Sequence, residues 1–201
     1  MPLARTRIDR QAKMDEILAS AQKRLVSGGY HNMSVAGIAR ELGLAQNSIY
    51  WYFPSKDDLF VAVLRQMLAE LATKKPSPGR GLVSQVLWTT DQMYELASLR
   101  AELRERAKHT AAAADFDREL DRLLRHLVIH AIEGNVPSDQ LDLSATAFLA
   151  TVEGTIRMGL PRNQRHRTIQ FALEKLLSRE REPVAADSST ETARRKSQSG
   201  R

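Results

Sequence analysis

Residues 28–64 decide the fold of this chain, and they read GGYHNMSVAGIARELGLAQNSIYWYFPSKDDLFVAVL. Ser34 stands where it can cap the first turn of a short helix over 35–42. Gly43 then supplies the positive φ that a tight turn requires, and a second short helix follows over 46–52. Two short helices joined by a tight turn predict a helix-turn-helix unit, whose second helix enters the major groove of DNA.

Helices are also predicted on both sides of this unit. Apolar residues recur at three- and four-residue steps over about 8–26, which indicates one amphipathic helix that ends at Gly28-Gly29. On the other side, Ser55 and Asp58 form a capping signal for a fourth helix over 56–74. The helix-turn-helix unit is therefore expected to lie on a helical frame.

The predicted second helix of the unit carries no charge but offers polar and aromatic side chains. The amides of Gln46 and Asn47 can pair with adenine in the major groove, and a tyrosine hydroxyl can donate to a phosphate oxygen. Tyr50, Trp51 and Phe53 cannot all point inward from one helix, so we expect at least one of them to be exposed. The alternative is that these aromatic residues form ordinary core, which is the expectation for Phe53.

The composition limits the classes of protein to which the chain can belong. Its 201 residues suffice for one large domain or two small ones, and the absence of cysteine excludes disulfide frameworks, thiolate zinc sites and cysteine nucleophiles. No window approaches the run of about 18 apolar residues that crosses a membrane. The first residues lack the apolar segment of a secretion signal. We therefore expect a cytoplasmic protein with no membrane partner.

The net charge of +6 is spread evenly along the chain, so the total is weak evidence for a nucleic-acid partner. One local concentration precedes or opens the first helix, where Arg5, Arg7, Arg10 and Lys13 are opposed only by Asp9. Charge alone favours a solvated N-terminal arm. The alternative is that these cations contact DNA phosphates.

Helical patterns continue beyond the fourth helix, so we predict an all-α chain of about nine helices. Residues 1–55 would form an N-terminal three-helix helix-turn-helix domain, and residues 56–182 a second helical domain. The helix at 56–74 would connect the two, followed by a linker at 76–81 that is rich in proline and glycine. Residues 183–201 are poor in large apolar residues and are expected to be disordered.

The later helices of the second domain are predicted from the spacing of apolar residues. They cover 82–108, 116–133, 143–158 and 162–181. The last two carry small and apolar residues that suit close helix packing. On the residues alone, an intrachain core and a dimer interface both remain open.

Catalytic and metal-binding signatures are missing from the sequence. No nucleophile elbow, phosphate-binding loop, zinc-protease motif or dinucleotide fingerprint occurs. His126 and His130 lie four residues apart, a spacing compatible with a metal, but they share a polar helix face with Glu133, and a solvated face is the simpler interpretation. We therefore predict no enzymatic activity, no cofactor and no metal.

The stretch 28–64 resembles the DNA-binding domain of the tetracycline-repressor (TetR) family of bacterial transcription regulators. The resemblance covers about the first 65 residues, and the remainder shares with the family only the number and spacing of helices. The matching residues are Gly29, Tyr30, Ser34, Ile38, Ala39, Gly43, Tyr50, Phe53, Lys56 and Leu59.

The resemblance implies a role for each residue of the helix-turn-helix unit. Bases would be contacted by Gln46, Asn47 and Ser48. Phosphates would be contacted by Ser34, Tyr50, Trp51, Lys56, Arg5 and Arg7. The implied partner is double-stranded DNA with a palindromic operator, bound by a homodimer at the nucleoid of a bacterial cell.

The resemblance also implies two roles for the second domain. Its middle helices would enclose a small-molecule effector, although apolar residues at helical spacing are also ordinary core. The candidate lining residues are Trp88, Met93, Tyr94, Phe116, Leu120, Leu124 and Phe148. Its last two helices would pair with those of a second protomer through Ala150, Gly154, Met158, Phe171, Leu173 and Leu177. The implied function is a repressor that a small-molecule ligand releases from DNA.

Two residues depart from the family pattern. Ala45 stands where Ser or Thr commonly caps the recognition helix, and the lost hydrogen bond costs about 1 kcal/mol, so we expect this helix to be ordered mainly on DNA. Asn47 stands where glycine is common and adds a possible base contact. The missing cap leaves an alternative function open, namely a helical ligand-binding or interaction module whose helix-turn-helix no longer reads specific DNA.

Overall fold

The computed structural model describes the backbone of residues 2–178 and the side chains of residues 9–77 and 79–178. In that part of the chain it contains nine α-helices and no β-strand, which confirms the all-α prediction. The helices are α1 (Pro2–Asn32), α2 (Val35–Glu41), α3 (Gln46–Tyr52), α4 (Lys56–Thr73), α5 (Leu82–Glu95), α6 (Ala97–Arg106), α7 (Ala111–Ile132), α8 (Leu141–Arg157) and α9 (Arg162–Leu177). The tail at 183–201, predicted to be disordered, lies outside the described residues.

None of the described helices is long and apolar enough to cross a membrane. The segment predicted as a linker, 76–81, contains a single 3₁₀ turn, Pro78–Arg80, between α4 and α5.

The turns of the helix-turn-helix unit form as their residues predict. The backbone of α1 leaves helical geometry at Gly28 and at Gly29, where φ is 70°. The amide of Gly37 donates to the Ser34 hydroxyl at 3.2 Å, so Ser34 caps α2. Gly43 follows α2 with a φ of 64°, which a residue with a side chain adopts only at a cost. These turns fix the angle at which α3 leaves α2.

A first hydrophobic core joins the four N-terminal helices. Its buried members include Ile17, Leu25, Ile38, Ile49 and Phe60. The same cluster contains Leu103 of α6 and Phe116 of α7, so the core does not end with α4. Because these side chains touch one continuous core, a shift of α6 or α7 is transmitted by packing to the helix-turn-helix unit.

Two helix predictions were wrong in their boundaries. The single helix predicted over 82–108 is two helices, because the backbone turns at Leu96 (φ −95°, ψ 8°) and allows α5 to pack on α9 while α6 packs on α7. The helix predicted to begin at Phe116 begins at Ala111, directly after Thr110. The run of alanines at 111–114 belongs to the helix because alanine is the strongest helix former.

A second hydrophobic core lies between α5, α7, α8 and α9. Its buried members are Ile132, Phe148, Val152, Ile169 and Leu173. Leu173 is 1% exposed, so its assignment to a dimer interface was wrong. The side chain is buried in the core of its own chain. Phe148 was predicted to line an effector pocket and is likewise a member of this core.

A cluster of charges on Asp91 ties α5 to α9. The Asp91 carboxylate accepts hydrogen bonds from Arg162 at 2.8 Å and from Arg165 at 2.8 Å, and it lies 2.9 Å from the His166 ring nitrogen. Burial raises the pKa of Asp91, but the hydrogen bonds from Arg162, Arg165 and His166 outweigh it and lower the pKa to about 2. The buried Arg165 guanidinium also lies 4.0 Å from the centroid of the Tyr94 ring. Tyr94 therefore belongs to this cluster and not to the predicted pocket.

We expect Asp91→Asn to lower the free energy of unfolding by about 3 kcal/mol at pH 7, because it leaves the buried Arg165 guanidinium without its counter-ion. Urea denaturation followed by circular dichroism measures this change. Asp115→Asn is the matched control, since its pair with Arg118 is largely exposed, and it should cost less than about 0.5 kcal/mol.

The contribution of Asp91 to the free energy of unfolding depends on pH. The pKa of Asp91 lies below its ordinary value of 3.8, so its contribution is complete above pH 4 and is lost as the pH falls towards 2. The difference between wild type and Asp91→Asn should therefore shrink over that range. A difference that stays constant from pH 7 to pH 2 would contradict this assignment.

Candidate functional site

Helix α3 presents a polar face to solvent and is anchored by one apolar side chain. Ile49 is buried in the first core, and α3 packs mainly on α2. Gln46 and Asn47 are exposed, and Ser48 is half-buried. The three residues predicted to reach bases thus lie on the first turn of a short helix that projects from the protein.

The aromatic residues of α3 divide between core and surface as the helix periodicity predicts. Phe53 is buried, whereas Tyr50 is 39% and Trp51 64% exposed. The Arg10 guanidinium of α1 lies 4.6 Å from the centroid of the Trp51 ring. This contact places a cation of the N-terminal helix beside the recognition helix, next to an exposed indole. The side chains of Arg5 and Arg7, predicted to contact phosphates, lie outside the described residues.

Ala45 provides no side-chain cap for α3, as its sequence predicts. The helix is regular over Gln46–Tyr52. The amide of Ser48 donates to the Ala45 carbonyl at 2.9 Å, and the buried Ile49 holds the helix against the core. Tertiary packing thus replaces the hydrogen bond that a capping hydroxyl would supply.

The start of α4 lies beside the recognition helix and carries Lys56. Ser55 caps α4 by accepting a hydrogen bond from the Asp58 amide at 3.1 Å. The Lys56 ammonium lies 4.0 Å from the centroid of the Tyr30 ring, and burial lowers the pKa of Lys56. This predicted phosphate contact is therefore half-buried against an aromatic ring.

Tyr30 joins three helices, a role that the sequence did not reveal. Its hydroxyl donates to the buried Asp57 carboxylate at 2.5 Å, which links the end of α1 to the start of α4. The Arg106 guanidinium of α6 lies 5.2 Å from the centroid of the same ring. Burial and the hydrogen bond to Asp57 raise the pKa of Tyr30 to about 12. The tyrosine therefore stays protonated and a donor throughout the physiological range.

A cavity of about 870 Å³ lies between α4, α5, α6, α7 and α8. Of the residues predicted to line an effector pocket, Trp88, Met93, Phe116, Leu120 and Leu124 line it. Tyr94 and Phe148 do not, because they belong to the contacts between α5, α8 and α9 described above. The polar residues of the cavity could not be predicted from the sequence, since they come from α5, α6, α8 and the segment that follows α4.

Apart from the buried Leu173, the residues predicted for a dimer interface occupy three different environments. Met158 and Phe171 are exposed, at 72% and 62%. Leu177 is half-buried beside the second core. Ala150 and Gly154 line the cavity. A further exposed side chain, Leu143 at 73%, lies near the start of α8 and was not predicted.

The histidine pair of α7 shows no arrangement suited to a metal. His126 and His130 are exposed, and His130 lies 3.6 Å from the Glu133 carboxylate. Among the described residues, no group of three or more histidine, aspartate or glutamate side chains is placed to hold a metal ion.

Comparison with known proteins adds sequence and structural relatives. Residues 17–63 match the family model of bacterial regulatory proteins, tetR family. A helix-turn-helix-type transcriptional repressor of Mycobacterium tuberculosis is 28% identical over 152 residues, which cover 69% of this chain and 81% of that protein. The helix-turn-helix-type transcriptional regulator RutR of Escherichia coli is 39% identical over 57 residues, which cover 28% of this chain and 27% of that protein.

Solved structures share the fold over most of the chain. A transcriptional regulator from Rhodococcus sp. aligns with a TM-score of 0.66 at 17% identity, covering 82% of this chain and 95% of that one. A transcriptional regulator from Saccharomonospora viridis in complex with choline aligns with a TM-score of 0.65 at 16% identity, covering 82% and 96%. The family match spans the capped α2, the glycine turn, α3 and the start of α4, and the fold extends beyond it. Residues 17–63 of the chain thus form a domain similar to that of the bacterial regulatory proteins of the tetR family.

Proposed function

We propose that this protein is a repressor that binds a palindromic DNA operator as a homodimer and leaves it when a small molecule binds. The observation that carries the proposal is the exposed first turn of α3, where Gln46 and Asn47 face solvent beside the exposed Trp51. Amide side chains on such a turn can read adenine in the major groove. The implied setting is the cytoplasm of a bacterial cell, at the nucleoid.

The division of labour follows the order of the chain. Residues 1–55 bind DNA, residues 56–182 bind the ligand and the second protomer, and the helix at 56–74 connects them. The contact of Arg106 with the Tyr30 ring gives α6 a direct link to the ends of α1 and α4. A ligand that favours one position of α6 would thereby favour one spacing of the two recognition helices.

The proposal of a dimer rests on exposed apolar side chains that no described residue covers. Leu143 near the start of α8, Met158 directly after its end and Phe171 on α9 are all largely exposed. A symmetric dimer covers the same patch on both protomers and places two readers on half-sites about 34–36 Å apart or a multiple of that distance.

The alternative function, a helical module that no longer reads specific DNA, rests on the missing cap at Ala45. Selection of bound duplexes from a random pool separates the two functions. A repressor should enrich a two-fold symmetric sequence and prefer it over random duplex at moderate salt. Recovery of random sequence would favour the alternative.

Two substitutions should separate base reading from phosphate binding. Asn47→Ala should relax the preference at one base pair of each half-site, because it removes a bidentate contact worth about 1–3 kcal/mol. Lys56→Gln should weaken binding to every sequence and lower the slope of log K against log salt by about 0.9 per protomer.

Arg125→Gln is the control for this measurement, since its guanidinium contacts Asp142 and Thr146 of α8, outside the helix-turn-helix unit. It should leave both preference and slope unchanged. Fluorescence anisotropy over a salt series measures all three proteins. If Asn47→Ala and Lys56→Gln altered the slope alike and the preference not at all, the assigned roles would be wrong.

Restoring the missing cap should stabilise the protein. The Ala45 backbone is extended (φ −69°, ψ 143°), as a capping residue requires, so Ala45→Ser should raise the free energy of unfolding by about 1 kcal/mol. Ala69→Ser is the matched control at an exposed position inside α4, where serine should instead cost about 0.5 kcal/mol. Urea denaturation reports both changes, and equal effects at the two positions would argue against a capping defect.

A charge placed at Phe171, an exposed apolar residue of α9, tests the proposed dimer. Phe171→Asp should halve the molar mass measured by light scattering at micromolar concentration, because a carboxylate is costly to bury in an interface. Val26→Asp alters an equally exposed apolar residue of α1 and should leave the mass unchanged. A Phe171→Asp protein that keeps the mass of wild type would place the interface elsewhere.

A further inference from the structure

The cavity between α4 and α8 combines apolar walls with an uneven set of charges. Its walls are formed mainly by leucine and other apolar side chains, with Trp88 and Phe116 as aromatic members. A volume of about 870 Å³ is large enough for a ligand with an extended apolar body. The charges around such a cavity decide which polar group that ligand can carry.

Four cations and a single carboxylate line the cavity. They are Lys75, Arg100, Arg104, Arg157 and Glu153. Glu153 is already engaged, because it accepts a hydrogen bond from Arg104 at 2.5 Å. The carboxylate is therefore compensated by Arg104.

The remaining cations differ in their partners. Arg100 pairs with Asp117 and Asp121 on α7, yet its Nη1 is buried without a hydrogen-bond partner, as is the Oδ1 of Asp117. Within the described part of the chain, Lys75 and Arg157 form no ion pair. Guanidinium groups bind carboxylates and phosphates in a bidentate geometry, so these side chains suit an anionic group.

A cationic ligand would meet four cations, one paired carboxylate and a single aromatic ring, Trp88, that no described cation covers. Recognition of a quaternary ammonium requires open aromatic faces or a free carboxylate. The Phe116 ring is already covered by the Arg65 guanidinium, which lies 4.6 Å from its centroid, and Glu153 is paired with Arg104. The excess of positive charge in the cavity therefore disfavours a choline-like cation.

We propose that the cavity binds an amphipathic organic anion, with the apolar body against the leucine-rich walls and the anionic group near Arg157, Lys75 and the Nη1 of Arg100. This inference rests on the proposed ligand-responsive function and names the chemical class of the ligand. Carboxylate and phosphate monoester heads share the required chemistry, and the choice between them is made by experiment.

Calorimetry on the full chain with probes of matched length tests the charge. The probes are dodecanoate, dodecyl phosphate, dodecanol and dodecyltrimethylammonium, each kept below its micellar concentration. We expect one anion per protomer, bound at least tenfold more tightly than dodecanol, with the ammonium compound weakest. The tighter of the two anions identifies the head group. Decanoate should bind about tenfold more weakly than dodecanoate, because two methylene groups fewer are buried.

Variants locate the bound anion. Lys75→Gln combined with Arg157→Gln should lower the affinity for dodecanoate at least tenfold and leave the affinity for dodecanol unchanged. Arg118→Gln removes an exposed cation of α7 that does not line the cavity, and it should change neither. Gly154→Leu should weaken binding of every probe, since a Cβ at Gly154 meets open space on the cavity wall and a leucine there takes up part of the volume, while Gly154→Ala should be tolerated.

The outcomes separate this inference from the proposed function. Anion binding that depends on Lys75 and Arg157 supports the proposed ligand class. If such an anion binds but does not release the protein from DNA, the proposed ligand response is wrong while the ligand class stands. Equal affinity for all four head groups, preference for the ammonium compound, or no binding at all overturns the class. Release of DNA by a ligand of another charge then leaves the proposed function intact.

Discussion

The hydrogen bond from Tyr30 to Asp57 is the contact on which the relation between the DNA-reading helices and the rest of the chain depends. A buried carboxylate is costly unless it is hydrogen-bonded, and the Tyr30 hydroxyl is its partner across 27 residues of sequence. The bond holds the last turn of α1 against the first turn of α4. Because α3 lies between those two points in the chain, its orientation is set by this junction together with the Gly43 turn.

The same junction connects the helix-turn-helix unit with the later helices. Arg106 of α6 lies against the Tyr30 ring, and Leu103 of the same helix is buried in the N-terminal core. Side chains that fill one core at high density cannot move independently. A change in the position of α6 must therefore be accommodated at α1 or α4, and the short α3 follows whichever of them yields.

The local features of the fold were predictable, and the long-range ones were not. Ser34 and Gly43 each act through bonds to residues nearby in the chain, so their roles could be inferred from the sequence. The bend at Leu96 has no such signal, because it arises where α5 and α6 find different packing partners. Leu173 has the pattern of an apolar helix face whichever surface covers it, and only the fold shows that the cover is intrachain. Tyr30 and Asp57 lie too far apart for any local pattern to pair them.

The two tryptophans of the chain stand at its two candidate sites. Trp51 is exposed on the recognition helix, and Trp88 lines the cavity. Indole emission depends on the polarity and the charges around the ring, and the Arg10 guanidinium already lies over one of them. The sequence contains no other tryptophan. The protein thus carries one fluorescent side chain at each site. Replacing either tryptophan with phenylalanine leaves a single-tryptophan protein whose emission reports on the other site.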